Sequence, residues 1–163
     1  YVDGWVNVAR VHIVTGDYDS ALNALKAADT ARSGYYKTTY FRGLIFKLTG
    51  NYEEAISAFK QVLLSHPKDR VVLNDLGRSL YLDEQISEAI QVLLKVLRID
   101  AEDLTANYNL MLLYQSIGET ETSDSYRTRY ERFKADESAS ARARAYRAVH
   151  SADNNEANRI HVH

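Results

Sequence analysis

Apolar residues recur at helical spacing in two successive segments of the chain, separated by a short polar turn. The first segment carries Leu73, Leu76 and Leu80. The second segment carries Ile86, Ala89, Ile90, Leu93, Leu94 and Leu97. Intervals of three and four residues place these side chains on one face of an α-helix. The pattern therefore predicts a helical hairpin made of two amphipathic helices.

The hairpin pattern recurs every 34 residues. Its clearest copy has the turn Gly50-Asn51-Tyr52 followed by Ala55, Phe59 and Pro67. In the copy upstream, the equivalent positions hold Gly16, Asp17, Tyr18, Ala21, Leu25 and Ser33. In the next copy downstream they hold Glu84, Gln85, Ile86, Ala89, Leu93 and Ala101. In the last copy they hold Gly118, Glu119, Thr120, Ser123, Arg127 and Ala135. A constant period of this length is typical of stacked helical repeats. We expect four helix pairs, at residues 2–35, 36–69, 70–103 and 104–137.

The repeat resembles the tetratricopeptide repeat family, whose pattern is W-x2-L-G-x2-Y, then A-x3-F, then P. The first half of that motif is represented by Trp5, Val8, Ala9 and His12; by Thr39, Arg42, Gly43 and Phe46; by Leu73, Leu76, Gly77 and Leu80; and by Asn107, Leu110, Met111 and Tyr114. The resemblance implies an all-α fold, a right-handed superhelical solenoid of four tetratricopeptide helix pairs plus a C-terminal capping helix. One pair cannot cover its own apolar face, so the copies must stack.

Several residues have structural explanations within this pattern. Gly43 and Gly77 would each cost about 1 kcal/mol in a free helix, so we expect close approach of the paired helices there. The facing small surface is assigned to the alanines of the second helices: Ala21, Ala55 and Ala89. Pro67 is expected to end the second helix of its copy. Trp5 and His12 occupy core positions of the motif and are expected to be packed.

The end of the chain differs from the repeats. The fourth copy places polar or bulky residues, Ser123, Arg127 and Tyr130, in its second helix, as suits a terminal unit. Residues 138–149 are expected to form a short capping helix with a packing stripe of Ala141, Ala145, Tyr146 and Val149. Residues 150–163 lack periodicity and are expected to form an extended tail.

Composition and charge exclude several classes of protein. The chain has no cysteine and a formal charge of −2, which argues against a disulfide framework, a thiolate metal site and a strongly basic nucleic-acid binder. Residues 1–126 hold 12 basic and 17 acidic side chains, a balance of −5, whereas residues 127–163 hold 8 and 5, a balance of +3. No apolar run approaches the roughly 20 residues of a membrane span, so no membrane insertion is expected.

The resemblance implies that the first helix of each pair lines a concave groove that binds a peptide segment of a partner protein. The groove residues chosen on this basis are Asn7, Arg10, Tyr40, Leu44, Lys47, Asn74, Arg78, Tyr81, Tyr108 and Asn109. Asn7 and Asn109 match the asparagines with which some members grip a peptide backbone, although Phe41 and Asp75 interrupt that series. The tyrosines and nearby cations suit aromatic and carboxylate groups of a peptide, or the tyrosines simply pack between helices.

Other kinds of site find little support in the sequence. The family's clamp for a terminal carboxylate is not reproduced, because the matching positions hold Val6, Arg10, Phe41, Val71 and Asp75. The histidines form no constellation with serine or carboxylate, and no phosphate loop or metalloprotease motif occurs. His161 and His163 alternate along the expected extended tail, so both could face one metal, with or without His150, although the ordering entropy of the tail opposes such a site. We expect no enzyme activity, no cofactor and no metal.

The tail also resembles, more weakly, bacterial proteins in which tetratricopeptide repeats follow a multihaem cytochrome c region. This resemblance covers about the last fifth of the chain and implies a bacterial, exported protein, periplasmic or extracellular, that docks an electron-transfer module. Without cysteine, any haem would lie in a preceding part. The main hypothesis is thus a non-enzymatic peptide-binding scaffold. The alternative is a structural module that assembles into a homo-oligomer or filament end to end, or docks such a cytochrome.

Overall fold

A computed structural model describes residues 1–149 as a stack of α-helices. The helices are α1 (Val2–Thr15), α2 (Tyr18–Ala31), α3 (Tyr36–Leu48), α4 (Tyr52–Ser65), α5 (Arg70–Leu82), α6 (Ile86–Ile99), α7 (Leu104–Ser116) and α8 (Thr120–Val149). This part of the chain contains no strand. Each of the four expected spans holds the start of two helices, and the predicted all-α, paired architecture is confirmed.

Neighbouring helices pack in sequence order. Each hairpin is closed by contacts between its two helices, and α2, α4 and α6 each pack on the first helix of the following pair. The first helices also contact one another, α1 with α3, α3 with α5 and α5 with α7. The four first helices therefore form one continuous wall of the solenoid.

The turns inside the hairpins need a left-handed backbone. Gly50 has φ 81°, and Gly16 and Gly118 at the equivalent positions have φ 78° and 80°. Glycine adopts this conformation without a Cβ clash. In the third hairpin the same position is Glu84, which has φ 62° and is the one non-glycine residue with positive φ in the described part.

The close approaches predicted for the motif glycines are present. A Cβ on Gly77 would lie 2.7 Å from Cγ of Leu93, and one on Gly43 would lie 2.9 Å from Cε1 of Phe59. The facing surface is thus made by Leu93 and Phe59, not by the alanines to which the sequence assigned it. Ala55 is fully buried nearby. Bulky apolar side chains from the second helix consequently fill the space that each glycine leaves.

The proline turn also has the expected form. Helix α4 ends at Ser65, and His66 takes non-helical angles of φ −130° and ψ 63° directly before Pro67. Proline disfavours helical angles in the residue before it. The ring of His66 stacks on that of Tyr36 at 4.0 Å between centroids. The turn therefore packs back on the start of α3.

Two expectations about the ends of the solenoid are wrong. Residues 138–149 are helical, but they continue α8 without a break, and the expected packing stripe is exposed. No glycine or proline interrupts residues 120–149, so nothing in the sequence ends the helix earlier. Trp5 is 44% exposed and not a core residue, because no described helix covers its side of α1. The predicted tail, residues 150–163, lies outside the described residues.

Candidate functional site: the groove along the first helices

Two adjoining depressions run along the wall of first helices. The first has a volume of about 460 Å³ and is lined from α1, α3 and α5 by residues that include Asn7, Arg10, Tyr36 and Phe41. The second has a volume of about 660 Å³ and is lined from α3, α5 and the start of α7 by residues that include Leu44, Asn74, Asp75 and Thr105. Tyr40, Asp69 and Val71 line both. We call these two depressions together the groove.

Asp75 organises the middle of the groove. Its Oδ2 accepts a 2.7 Å hydrogen bond from the hydroxyl of Tyr40, and its Oδ1 accepts one of 2.5 Å from Nζ of Lys47. The side chains of Lys47 and Asp75 are only 17% and 16% exposed. Burial, together with the neighbouring Asp75 carboxylate, raises the pKa of Tyr40, so its hydroxyl stays a donor. Lys47 and Tyr40 therefore have an internal partner, and the sequence did not indicate it.

A second network lies at the α1 end. Asp3 accepts hydrogen bonds from the hydroxyl of Tyr35 at 2.7 Å and from Nζ of Lys37 at 3.1 Å. These hydrogen bonds hold the pKa of Asp3 below its usual range, the bond from Tyr35 being the larger cause. Lys37, like Lys47, is thus paired with a carboxylate of the protein. The network joins α1 to the start of α3 and fixes one edge of the groove.

Asp103 organises the α7 end. Its Oδ1 accepts from the backbone N–H of Ala106 at 2.9 Å and from Nδ2 of Asn74 at 3.0 Å, while its Oδ2 accepts from Arg70 at 2.9 Å. Asp103 is therefore the N-cap of α7 and also the residue that orients Asn74. Because the amide nitrogen of Asn74 faces Asp103, its Oδ1 faces away, and that atom has no partner among the described residues.

Three groove residues have exposed side chains that a ligand could contact. Arg10 and Asn7 are exposed on α1 and make no hydrogen bond or ion pair within residues 1–149. Val71 is 61% exposed at the junction of the two depressions, beside Tyr40. The groove thus offers an exposed apolar side chain at its centre, with an unpaired guanidinium and an unpaired carboxamide on α1.

The other residues chosen from the sequence are not brought into this groove. Arg78 lies over the ring of Tyr81 at 5.2 Å and leaves its buried Nη1 without a partner in the described part. Tyr108 is exposed and packs against Tyr130 of α8 at 5.3 Å between ring centroids. Asn109 is buried, unlike the exposed Asn7 at the equivalent position of α1. The structure therefore gathers Asn7, Arg10, Tyr40, Leu44 and Asn74, with Lys47 bound to Asp75 behind them.

Carboxylates line the groove, although the residues chosen from the sequence include none of them. Asp75 was expected there only as a break in the asparagine series, whereas Asp3, Asp69, Asp75 and Asp103 all line the groove. Asp69 accepts from the backbone N–H groups of Val71 and Val72 and so caps α5. Asp69 and Asp103 stand 34 residues apart, each directly before a first helix, and this repeated N-cap signal could have been found.

Neither a membrane-spanning helix nor a metal cluster occurs in the described residues. Within residues 1–149 no helix is long and apolar enough to cross a membrane, and no set of three or more histidine or acidic side chains could hold a metal ion. His12 is half-buried, with Nδ1 3.5 Å from Oδ2 of Asp17. The tail histidines of the alternative metal set, His150, His161 and His163, lie outside the described residues.

Comparison with known proteins supports the family resemblance. A model of the tetratricopeptide repeat family matches residues 48–117, which span α4 to α7. The BBSome complex member BBS4 of Xenopus tropicalis is 26% identical over 106 residues, or 64% of this chain. The chain spans 20% of the length of that curated relative. The resemblance of the tail to cytochrome-linked proteins is not confirmed.

Solved structures share the fold. MamA of Desulfovibrio magneticus RS-1 superposes with a TM-score of 0.75 at 18% identity, over 83% of this chain and 77% of the other. PilF of Pseudomonas aeruginosa gives a TM-score of 0.74 at 19% identity, over 81% and 60%. At such identities the likeness shows the helical-repeat architecture alone.

Proposed function

We propose that the chain is a non-enzymatic scaffold that binds an extended peptide segment of a partner protein in the groove along α1, α3 and α5. The observation that carries this proposal is the exposed Val71 at the junction of the two depressions, which Tyr40 also lines. Exposed apolar side chains lining a concave surface are typical of binding sites. The shared helical-repeat fold fits a protein-interaction module, and the curated relative is named as a member of a complex.

The side chains of the groove favour a peptide with an apolar and an acidic side chain. An apolar side chain would cover Val71 and the ring of Tyr40, which gains the burial of both. An acidic side chain would lie on the α1 side, because Arg10 is the free cation there and forms bidentate bonds with carboxylates. Asn7 can donate to and accept from a peptide backbone at once. The internal pair of Lys47 and Asp75 would keep Tyr40 in place, since its hydroxyl is already held.

A selection experiment tests this function. A library of extended peptides is selected on the whole chain, and affinities of the selected peptides are measured by calorimetry. We expect an apolar residue with a nearby Asp or Glu to be enriched. Val71→Asp should weaken binding at least tenfold, and Arg10→Glu should reverse the preference from acidic to basic peptides.

The matched control is Leu64→Asp. Leu64 is an exposed leucine on the second helix α4, away from the groove, so the same change of an exposed aliphatic residue to aspartate leaves the groove unaltered. We expect this variant to bind within twofold of the parent. If Val71→Asp bound as tightly as Leu64→Asp, the groove would not be the binding site.

A further inference from the structure

Three of the four carboxylates that line the groove are paired with a cation of the protein. The pairs are Asp3 with Lys37, Asp75 with Lys47, and Asp103 with Arg70. The fourth carboxylate, Asp69, lines both depressions but forms no ion pair within residues 1–149. Its charge is therefore not neutralised by contact with a cation of the described part.

The protein uses only one oxygen of Asp69. Oδ1 accepts from the backbone N–H groups of Val71 at 3.0 Å and Val72 at 3.2 Å, which makes Asp69 the N-cap of α5. Oδ2 accepts no hydrogen bond from any residue of the described part. Because Asp69 is partly exposed, a ligand could donate to Oδ2 while the cap stays intact.

Asn74 adds a second oxygen without a donor to the second depression. Asn74 is only 7% exposed and lines this depression together with Asp69. Its amide nitrogen donates to Asp103, and its Oδ1 has no donor within residues 1–149. A buried carbonyl oxygen without a donor is uncommon, and its partial negative charge is weakly screened inside the protein. The second depression therefore has an excess of negative potential.

The charge of Asp69 also acts on the middle of the groove. Burial and then Asp75 raise the pKa of Tyr40, and the charge of Asp69 contributes in the same direction. The hydroxyl of Tyr40 already donates to Asp75, so it does not supply a donor for Asp69. The negative charge beside Tyr40 is thus left for a ligand to neutralise.

The α1 side of the first depression has the opposite character. Arg10 is exposed there without a partner in the described part, whereas the charge of Asp3 is balanced by Lys37. The unpaired charges of the groove are therefore positive on α1 and negative at the start of α5, where Asp69 lies. The exposed Val71 lines both depressions.

We propose that the second depression binds a cationic side chain, lysine or arginine, of the peptide, with its charged group on Oδ2 of Asp69. This inference rests on the proposed function and adds a second charged position to the peptide. An ammonium or guanidinium group supplies both the positive charge and the N–H donors that the site lacks. Its methylene stem would lie along Leu44 and the ring of Tyr40, which line the same depression.

The two charged positions define the order of the peptide. An acidic residue meets Arg10, an apolar residue covers Val71, and a basic residue meets Asp69, so acid and base lie on opposite sides of the apolar residue. Selected peptides should show both charges in this order. Arg10→Glu should change the preference at the acidic position and leave the basic position unaltered.

Asp69→Asn tests the basic position without removing the cap, because asparagine is also a good N-cap residue. Affinities are measured by calorimetry for a selected peptide and for the same peptide with glutamine in place of its basic residue. The parent should bind the basic form about threefold to tenfold more tightly, the range of a partly exposed ion pair. Asp69→Asn should bind the two forms equally, and this coupling assigns the effect to the pair. Added salt should reduce the preference of the parent.

The matched control is Asp17→Asn. Asp17 is the N-cap of α2 and does not line the groove, so this variant carries the same substitution at another cap. It should keep the preference of the parent. The α-amino group of the peptide is the other possible source of a cation, and acetylation removes its charge. If acetylation abolished the preference and glutamine did not, the assignment to a side chain would be wrong.

Failure of this inference differs from failure of the proposed function. If Val71→Asp weakened binding while Asp69→Asn kept the preference of the parent, or the parent showed none, the basic position would be wrong and the groove would remain the binding site. If Val71→Asp bound as tightly as Leu64→Asp, or no peptide were selected, both proposals would be overturned.

Discussion

The hydroxyl of Tyr40 on α3 donates a 2.7 Å hydrogen bond to Oδ2 of Asp75 on α5, across the groove wall. Lys47 donates to the other oxygen of the same carboxylate. One carboxylate thus joins two side chains of the second repeat to a helix of the third. Hydrogen bonds to a charged acceptor in a partly buried site contribute more than those at the surface. The groove wall and the stacking of repeats therefore depend on the same residue.

Replacing Tyr40 with phenylalanine tests this relationship. Tyr40→Phe removes the donor and leaves one lone-pair side of Asp75 without its partner. We expect the free energy of unfolding to fall by about 2 kcal/mol, the range for a hydrogen bond to a charged group. Urea unfolding at neutral pH measures it. The control is Tyr52→Phe, since the hydroxyl of Tyr52 has no hydrogen bond in the described part, and no change is expected there.

The same variant makes a pH prediction. The pKa of Tyr40 is raised in the folded state, so the stabilising proton is fully bound below about pH 10, the usual value for tyrosine. Above that pH the unfolded chain loses this proton while the folded chain keeps it, so stability falls as pH rises. The stability difference between parent and Tyr40→Phe should shrink between about pH 10 and 11.5. A constant difference over that interval would show that the tyrosine titrates normally.

The sequence predicted what depends on repetition within the chain. The 34-residue period located the helix pairs, and Gly77 and Pro67 have the explanations that the motif gives them. It could not predict the pairing of Tyr40 with Asp75, because that contact depends on how far one repeat is rotated against the next. The sequence also predicted a packed Trp5, because the family motif has a core residue at that position. A residue at that position is buried only when a preceding helix covers it.

The close approach at Gly77 predicts opposite effects for two alanine substitutions. Gly77→Ala places a Cβ 2.7 Å from Leu93, so overpacking should destabilise the fold by about 2 kcal/mol. Gly4→Ala meets no atom within 4 Å on helix α1, so helix propensity should stabilise it by up to about 1 kcal/mol. Thermal unfolding of both variants compares them directly. The close-packing explanation fails if Gly77→Ala is as stable as the parent.

The turn of the third hairpin predicts a stabilising substitution. Glu84 has φ 62°, a conformation that costs a residue with a Cβ about 1 kcal/mol relative to glycine. Glu84→Gly should therefore raise the free energy of unfolding by about 0.5 to 1 kcal/mol, less the extra entropy of glycine in the unfolded chain. Glu84→Ala is the control: it removes the same side chain without relieving the backbone and should not stabilise. Equal gains in the free energy of unfolding in both variants would mean that removal of the Glu84 charge, and not relief of the backbone, stabilises the protein.

The N-cap residues of α7 and α2 accept different numbers of hydrogen bonds. Replacing each of them with alanine should therefore lower the free energy of unfolding by different amounts. Asp103 accepts from Ala106, Asn74 and Arg70, whereas Asp17 accepts a backbone hydrogen bond only from Ser20. Asp103→Ala removes a cap and two bonds between repeats, so we expect a loss of about 2 to 3 kcal/mol. Asp17→Ala should cost clearly less, because it removes one exposed cap.

Replacing Asp103 with serine separates its role as the N-cap of α7 from its role in the groove. Asp103→Ser keeps a side chain that can cap α7 but lacks the second oxygen for Arg70. This variant should recover part of the stability, while the selected peptide should still bind more weakly, because Asn74 loses the charged acceptor that orients its amide. The affinity for the selected peptide is measured by calorimetry, and the stability by urea unfolding, for the parent, Asp103→Ala and Asp103→Ser. If stability and affinity recovered together in Asp103→Ser, the orientation of Asn74 would have no separate effect on binding.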